Sequence, residues 1–332
     1  MTTMPTKRRV ILDCDPGNGV PVTDVDDGLA LGLLIASDDI DLELVTIVSG
    51  NTHRDVGYRV ARTMLDAVGA VVPVHLGAVT ALVEPEEPWA TRRMAKDHDD
   101  SSVQLWADLR PPREHPLPAR ADAAAEIAAR VAAAPGEITI VAVGPLTNVA
   151  HALALHPGLA EDVAEIIVMG GAFDVPGYLQ ELNFGIDPEA ARQVLTSGAS
   201  VTLVPLDVTI TTALRLPDVD RLAAAGTPVA AYLAETTAPW IRHVERSRER
   251  EGCPLHDPLA AALLLDRDLV RLERCTVDVE LTGLTRSRPI RWDADHLRLA
   301  AGLDVPEHAP IDVVVEADNA RLVELLLATL GA

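Results

Sequence analysis

The sequence predicts an α/β fold, an open and mostly parallel central sheet with a Rossmann-like core and helices on both faces. Short β-branched runs alternate with longer Ala- and Leu-rich segments, the rhythm of parallel strands joined by crossover helices. Polar residues gather just past the ends of those runs, where such sheets place their ligands. The 332 residues, 48% of them hydrophobic and 23% charged, suffice for one large domain with a substantial core. Residues 1–8 are expected as a flexible N-terminal tail and residues 9–332 as a single domain.

Val10 to Leu12, Leu44 to Val48, Val72 to Leu76, Ile138 to Val143, Ile166 to Met169 and Val201 to Leu206 read as buried strands. Val56 to Val68, Ala121 to Ala134, Leu146 to Leu155 and Pro188 to Leu195 have helical spacing and few breakers, and are the crossovers. Farther on come a polar helix from Pro228 to Arg250, a helix opening at His256-Asp257-Pro258, strands at Cys275 to Leu281 and Ile290 to Trp292, and a last strand and helix at Asp312 to Val315 and Ala320 to Leu330. Val83 to Pro118, rich in Pro, charge and Trp, has no clear period and reads as a long loop or short helices near an opening.

The formal charge of −22, with Lys7 and Lys96 the only lysines, argues against a nucleic acid polymer as partner, because neutralising phosphates takes clustered basic residues. Cys14, Cys253 and Cys275 lack CxxC spacing, which argues against a disulfide framework or thiolate metal site and for a reducing cytoplasm. No apolar stretch is long enough to span a bilayer, and Met1 to Arg9 lacks the apolar core of a signal peptide.

The first strand runs into Asp13-Cys14-Asp15-Pro16-Gly17, the second into Ser49-Gly50-Asn51, the fourth into Gly144-Pro145-Leu146-Thr147-Asn148 and the fifth into Met169-Gly170-Gly171; Glu181-Leu182-Asn183 and Asp187-Pro188-Glu189 follow, and the sixth strand is expected to end at Asp207. Carboxylates converging on one crevice repel one another unless a cation compensates or their pKa values rise. All candidate ligands are oxygens, which selects a hard cation, and mixed carboxylate and carbonyl ligation favours Ca²⁺. Any single Asp or Asn here can equally cap a helix or close a turn. The segment from Asp13 to Asp24 mimics an EF-hand loop, but Gly17 and Asn18 occupy the wrong positions and a strand precedes it. A phosphatase of the haloacid dehalogenase type, with Asp13 and Asp15 as its DxD pair, is an alternative, although Lys96 is poorly placed to serve it.

Taken in order, these elements resemble the inosine-uridine preferring nucleoside hydrolase family over nearly the whole chain. Its DxDPGxDD signature begins with Asp13-Cys14-Asp15-Pro16-Gly17, and its paired aspartates align with Asp26 and Asp27, with Asp24 the competing choice. Asn18 to Val25 then form an eight-residue spacer where the family usually has one residue. Further matches are Ser49-Gly50-Asn51, Glu181-Leu182-Asn183, Leu206-Asp207-Val208-Thr209 and His256-Asp257-Pro258. The resemblance implies a calcium-dependent ribonucleoside N-glycosyl hydrolase, a homodimer or homotetramer, with the nucleoside hydrolase fold. It implies that Asp15, Asp27, Asp257 and the carbonyl of Val143 hold calcium and that Asp26, Asn51, Glu181 and Asn183 hold ribose hydroxyls, with Asp13 behind the ligands. Asp15 would take a proton from water, Trp240 would stack on the base, and His256 would donate a proton to the leaving base or only line the pocket. A non-catalytic nucleoside or sugar binder on the same floor is the remaining alternative.

Three departures from the family pattern stand out. Pro176 to Gln180 lacks the usual Asn before the Glu-x-Asn element, His98-Asp99-Asp100-Ser101 lacks the glycines of a usual His-Gly element, and Ile210 replaces a frequent His. They predict a modified base or sugar, or a narrowed nucleoside range.

Overall fold

The computed structural model describes residues 7–85, 88–91, 103–247, 250–293, 295, 297, 298 and 304–332. Nine strands form one sheet: β1 (Arg8–Cys14), β2 (Ile40–Ile47), β3 (Val74–Leu76), β4 (Ile138–Ala142), β5 (Glu165–Met169), β6 (Val201–Val204), β7 (Val270–Val279), β8 (Pro289–Trp292) and β9 (Ile311–Ala317). Their order is β3-β2-β1-β4-β5-β6-β9-β7-β8. β1 to β6 and β9 run parallel, while β7 and β8 form an antiparallel edge beyond β9.

The middle of the sheet is buried on both faces, which is why β4, β5, β6 and most of β1 read as continuous apolar runs. Successive residues of a strand point to opposite faces. Val10, Leu12 and Cys14 of β1 thus join a core with Leu29, Met64 and Leu233 from three helices. Ile11 joins a second core with Ile127, Val149 and Val194 on the other side. The helices are Asp26–Ala36, Arg54–Val68 and Pro228–Ser247 against the first face, and Ala123–Ala133, Thr147–Leu155 and Pro188–Leu195 against the second.

Strand order reverses between β1 and β4, both of which run parallel from the middle of the sheet. At such a switch point the two following connections leave in opposite directions and open a crevice beyond the carboxyl ends. Asp13-Cys14-Asp15 and Val143-Gly144 stand at those two ends.

Two expectations need correcting. Arg8, assigned to the tail, already belongs to the sheet, paired with Ile40 and donating its N–H to the Asp39 carbonyl at 2.8 Å. β6 stops at Val204, not Asp207. Pro205 has no N–H to continue a ladder, and the chain turns into the short helix Leu206–Thr209. Within Val83 to Pro118, a four-residue helix runs from Val103 to Trp106, whereas Lys96 and His98 to Ser101 lie outside the described residues.

The Asp26–Ala36 helix opens at the paired aspartates, whose charges complement its N-terminal dipole. A Cβ built on Gly28 in its first turn would land on the Asn18 side chain, itself wholly buried. Exposed helical Gly→Ala changes gain about 1 kcal/mol; Gly28→Ala is expected instead to lose about 1–3 kcal/mol by overpacking. Denaturant unfolding midpoints check this, and a stabilised variant would refute the packing argument.

Candidate functional site

β1 carries Asp13 and Asp15 into the crevice. Asp13 is fully buried; its Oδ1 accepts from Thr46 Oγ1 at 2.5 Å and Asn148 Nδ2 at 2.7 Å, and burial pushes its carboxyl up to about 7. Thr46 lies on β2, and Asn148 in the first turn of the helix that follows β4, so elements on both sides of β1 hold Asp13 in place. Asn148 Oδ1 in turn accepts from the Ala78 N–H at 2.8 Å.

Asp15, also fully buried, leans over Gly50, where any Cβ would collide with its carboxylate. Its backbone N–H donates to Asp27 Oδ1 at 2.8 Å, and its Oδ2 accepts from the Asn51 N–H. Asn51 Nδ2 reaches Asp27 Oδ2 at 3.2 Å. The end of β2 therefore ties Asp15 and Asp27 together.

Asp26 and Asp27 enter from the helix that follows. The Asp257 N–H donates to Asp26 Oδ2 at 3.1 Å, which brings the start of the His256–Ala262 helix, more than 200 residues away in sequence, to the same place. Carboxylate oxygens of Asp26, Asp27 and Asp257 lie within 4.8 Å of one another, all three residues buried. Burial first, then neighbouring aspartates, push the carboxyls of Asp15, Asp26 and Asp257 well above their ordinary value. Asp27 rises to about 6, chiefly by burial.

Such a set is costly without a cation, since each charge is taken from water and placed beside like charges. Two oxygens, Asp13 Oδ2 and Asp15 Oδ1, are buried with no hydrogen-bond partner among the described residues. Oxygen-only donors, crowded and under-satisfied, fit a hard divalent cation. His75, Asp122 and Glu126 form another grouping of ligand type. A 2.7 Å His75–Asp122 hydrogen bond and the Glu126–Arg130 ion pair already account for it.

Beside the aspartates lies an open cavity of about 250 Å³. Asp26, Asn51, Val143, Glu181, Asn183, Trp240, His256 and Asp257 all line it, so the sequence-selected residues are brought together, with Asp15 and Asp27 in the wall behind through Asn51. Glu181 is buried and caps the Leu182–Ile186 helix: Oε1 accepts from the Asn183 N–H at 2.7 Å, and Oε2 from Gly171 at 2.8 Å and Phe184 at 3.0 Å. Asn183 Nδ2 donates to the Val143 carbonyl at 2.7 Å and the Met169 carbonyl at 3.2 Å. That leaves Val143 its second lone pair and turns the amide oxygen of Asn183 away from those carbonyls.

Trp240 is only 1% exposed and stacks on His243, with ring centroids 5.5 Å apart. It forms wall more than open stacking face. Asp207, Asp187 and Glu189 are not brought into the cluster. Asp207 accepts from the N–H groups of Phe173 and Asp174, Asp187 caps the Pro188–Leu195 helix and accepts from Thr147, and Glu189 pairs with Arg286. Sequence reasoning singled out none of Trp89, Met169, Tyr178, Gln180 and Leu206 as contacts, although all line the cavity. Trp89 falls in the aperiodic stretch expected near an opening, which was the available signal.

A model of the inosine-uridine preferring nucleoside hydrolase family matches residues 10–324. The chain is 33% identical over 282 residues to the pyrimidine-specific ribonucleoside hydrolase RihA of Photobacterium profundum, covering 83% of this chain and 86% of that one. It is 32% identical over 280 residues to the inosine-uridine preferring nucleoside hydrolase of Leishmania major, covering 83% and 85%. Among solved structures, a plant nucleoside hydrolase superposes with a TM-score of 0.83 at 27% identity, covering 99% and 100% of the two chains. A purine-preferring ribonucleoside hydrolase from Gardnerella vaginalis superposes with 0.79 at 27% identity, covering 98% of each. The phosphatase alternative is thereby set aside. A switch-point crevice lined by buried aspartates, in a chain this similar to known nucleosidases, places the protein in the inosine-uridine preferring nucleoside hydrolase family, as a ribonucleoside N-glycosyl hydrolase.

Proposed function

We propose that the aspartate cluster holds calcium and that the cavity beside it holds a ribonucleoside for attack by water at the anomeric carbon. One observation carries this reading. Asp15, Asp26, Asp27 and Asp257 converge buried, and the neighbours that raise their pKa values include other aspartates, not cations. Asp15, Asp27, Asp257 and the second lone pair of the Val143 carbonyl would hold the ion. When bound, calcium supplies a positive charge that positions a water and makes it more acidic.

The residues of the chain do the rest. Asp15 Oδ1, without a hydrogen-bond partner, accepts the proton of the attacking water. Asp26, Asn51, Glu181 and Asn183 orient the sugar hydroxyls from the cavity floor. As the C–N bond breaks, positive charge grows on the ribose ring, and the carboxylates beneath it stabilise that charge more than the neutral ground state. Asp13, held by Thr46 and Asn148, stands behind the ion's ligands, two residues before Asp15. His256 stands on the leaving-group side, and Trp240 walls the base site. The relatives named above include pyrimidine-specific, inosine-uridine preferring and purine-preferring enzymes, so likeness alone does not assign the base. A homo-oligomer working in a reducing cytoplasm belongs to the same proposal; Cys14, Cys253 and Cys275 are free. Among the described residues no helix is long and apolar enough to cross a membrane.

Ribose release from inosine, uridine, cytidine and adenosine, followed in parallel, is expected to cease with a calcium chelator and return with added calcium. Full activity in metal-free protein would defeat the proposal. Asp15→Asn should lower kcat by about 10²–10⁴-fold while nucleoside binding, measured by calorimetry with calcium present, persists; unchanged turnover would remove Asp15 as the base.

The pKa shifts also set a pH dependence. Burial lifts the carboxyls of folded Asp13 and Asp27 to about 7 and about 6, from an ordinary value of 3.8, and Asp15, Asp26 and Asp257 are raised too. A raised carboxyl stabilises the fold fully below the unfolded value, and that contribution is lost as pH rises through the folded one. Metal-free protein should therefore lose stability between about pH 4 and 7. Saturating calcium should flatten the fall by replacing those protons. Melting curves across this range decide it, and identical slopes with and without calcium would count against a metal at the cluster.

A further inference from the structure

We infer that Thr209 is a positioning residue that fixes the ring tautomer of His256, so that Nε2–H is presented to the leaving base. This rests on the nucleosidase reading above. Thr209 closes the short helix after β6, in the Leu206-Asp207-Val208-Thr209 element to which that reading assigned no role. It is completely buried, and its Oγ1 lies 2.7 Å from His256 Nδ1.

The direction of that hydrogen bond follows from what else the hydroxyl can do. Its oxygen can accept and its proton needs an acceptor. Among the described residues, His256 Nδ1 is the partner found for Thr209 Oγ1. Were Nδ1 to carry the ring proton, the hydroxyl would accept and its own proton would be left buried without an acceptor, which is disfavoured. The hydroxyl therefore donates to Nδ1, and the neutral imidazole carries its proton on Nε2. His256 lines the cavity beside Asp257.

The backbone around this pair is fastened as well. Thr212 Oγ1 donates to the Thr209 carbonyl at 2.7 Å and accepts from the Leu255 N–H at 2.9 Å. Leu214 and Cys253 exchange two backbone hydrogen bonds, both of 2.8 Å. The turn after β6 thus grips residues 253–256 at several points, and Thr209 sets the ring within that grip. A freely turning imidazole would present either nitrogen, or neither, and lose the advantage of preorganisation.

The chemistry balances without a proton leaving His256. The departing base takes the C–N electron pair, and Nε2–H donates a hydrogen bond to the atom on which negative charge grows. Water supplies oxygen to the anomeric carbon, Asp15 takes one of its protons, and the base is protonated from solvent. A leaving group already stable as an anion needs no such donor.

The calcium-loaded enzyme is compared with Thr209→Val, which keeps the shape without the hydroxyl, and Thr209→Ser, which restores it. Substrates are inosine and uridine, against 4-nitrophenyl β-D-ribofuranoside, whose leaving group departs as a stable anion. Thr209→Val should lower kcat on the nucleosides by about 10–100-fold with KM nearly unchanged, leave the nitrophenyl riboside nearly unaffected, and be largely rescued in Thr209→Ser. Equal losses on both substrate classes, no loss on nucleosides, or no rescue by serine would overturn the inference. Should the valine variant fold poorly, ¹⁵N-histidine spectra of the wild type, assigned through the resonance missing in His256→Ala, still decide: an Nε2-protonated ring is expected, and an Nδ1-protonated ring would overturn the inference. A wild type that releases no ribose from any nucleoside fails earlier, at the nucleosidase reading itself.

Discussion

Mutual repulsion among buried carboxylates is the constraint around which the functional half of this molecule is arranged. Asp13, Asp15, Asp26, Asp27 and Asp257 are each at most 3% exposed. Desolvation alone disfavours ionising any of them, and nearby carboxylates disfavour it further for Asp15, Asp26, Asp27 and Asp257. A fold can hold such a group in two ways: by keeping protons on it, or by giving it a counter-charge. The fastenings around the cluster suit the second. Backbone N–H groups of Asp15, Asn51 and Asp257, with the side chains of Thr46, Asn51 and Asn148, fix individual oxygens in place while leaving Asp15 Oδ1 and Asp13 Oδ2 without partners. Donors that only partly satisfy the acids orient them without neutralising them.

The fold supplies the geometry at little local cost. A parallel sheet brings strand ends into register, and the switch between β1 and β4 opens a gap in which several ends face one ligand. Asp26 and Asp27 arrive on a helix N-terminus, where negative charge is favoured, and Asp257 does the same from the other end of the chain. These two helix N-termini therefore offset part of the repulsion before any cation binds. Gly50 allows the Asp15 carboxylate to pack against backbone where any larger residue would displace it.

These features were unequally legible in the sequence. The strands showed because burial on both faces makes their residues uniformly apolar, and the alternation with helices gave the parallel topology. The floor of the site showed because acids stand at the ends of several buried runs at once, in one order, although each alone could have capped a helix. The same rule over-reached at Asp207, Asp187 and Glu189. These acids satisfy backbone N–H groups or an arginine, and whether an oxygen turns to a cap or to a crevice depends on the register of elements distant in sequence. Pro205 was the local sign that the sixth strand had already ended. Trp89 and Tyr178 were harder to see, because they reach the cavity from segments without periodicity, where neither spacing nor composition says which way a side chain turns.

This contrast between floor and roof has a physical origin. Floor residues sit on strand ends and helix starts, whose positions are fixed by cores on both sides of the sheet, so a small set of residue types can be held to the tolerance that bond-making chemistry requires. Roof residues such as Tyr178, 46% exposed, and Gln180 lie on connections that carry little of the core and can change without disturbing it. Enzymes sharing the floor can then differ in the base they accept, as the preferences in the names of the relatives do. His256 falls between the two regimes. It begins a helix of the rigid part and lines the cavity, and its ring is held at Nδ1 from the short helix after β6. A buried hydroxyl such as that of Thr209 suits a histidine in this position, because it specifies which ring nitrogen carries the proton without adding another charge to a crevice already crowded with them.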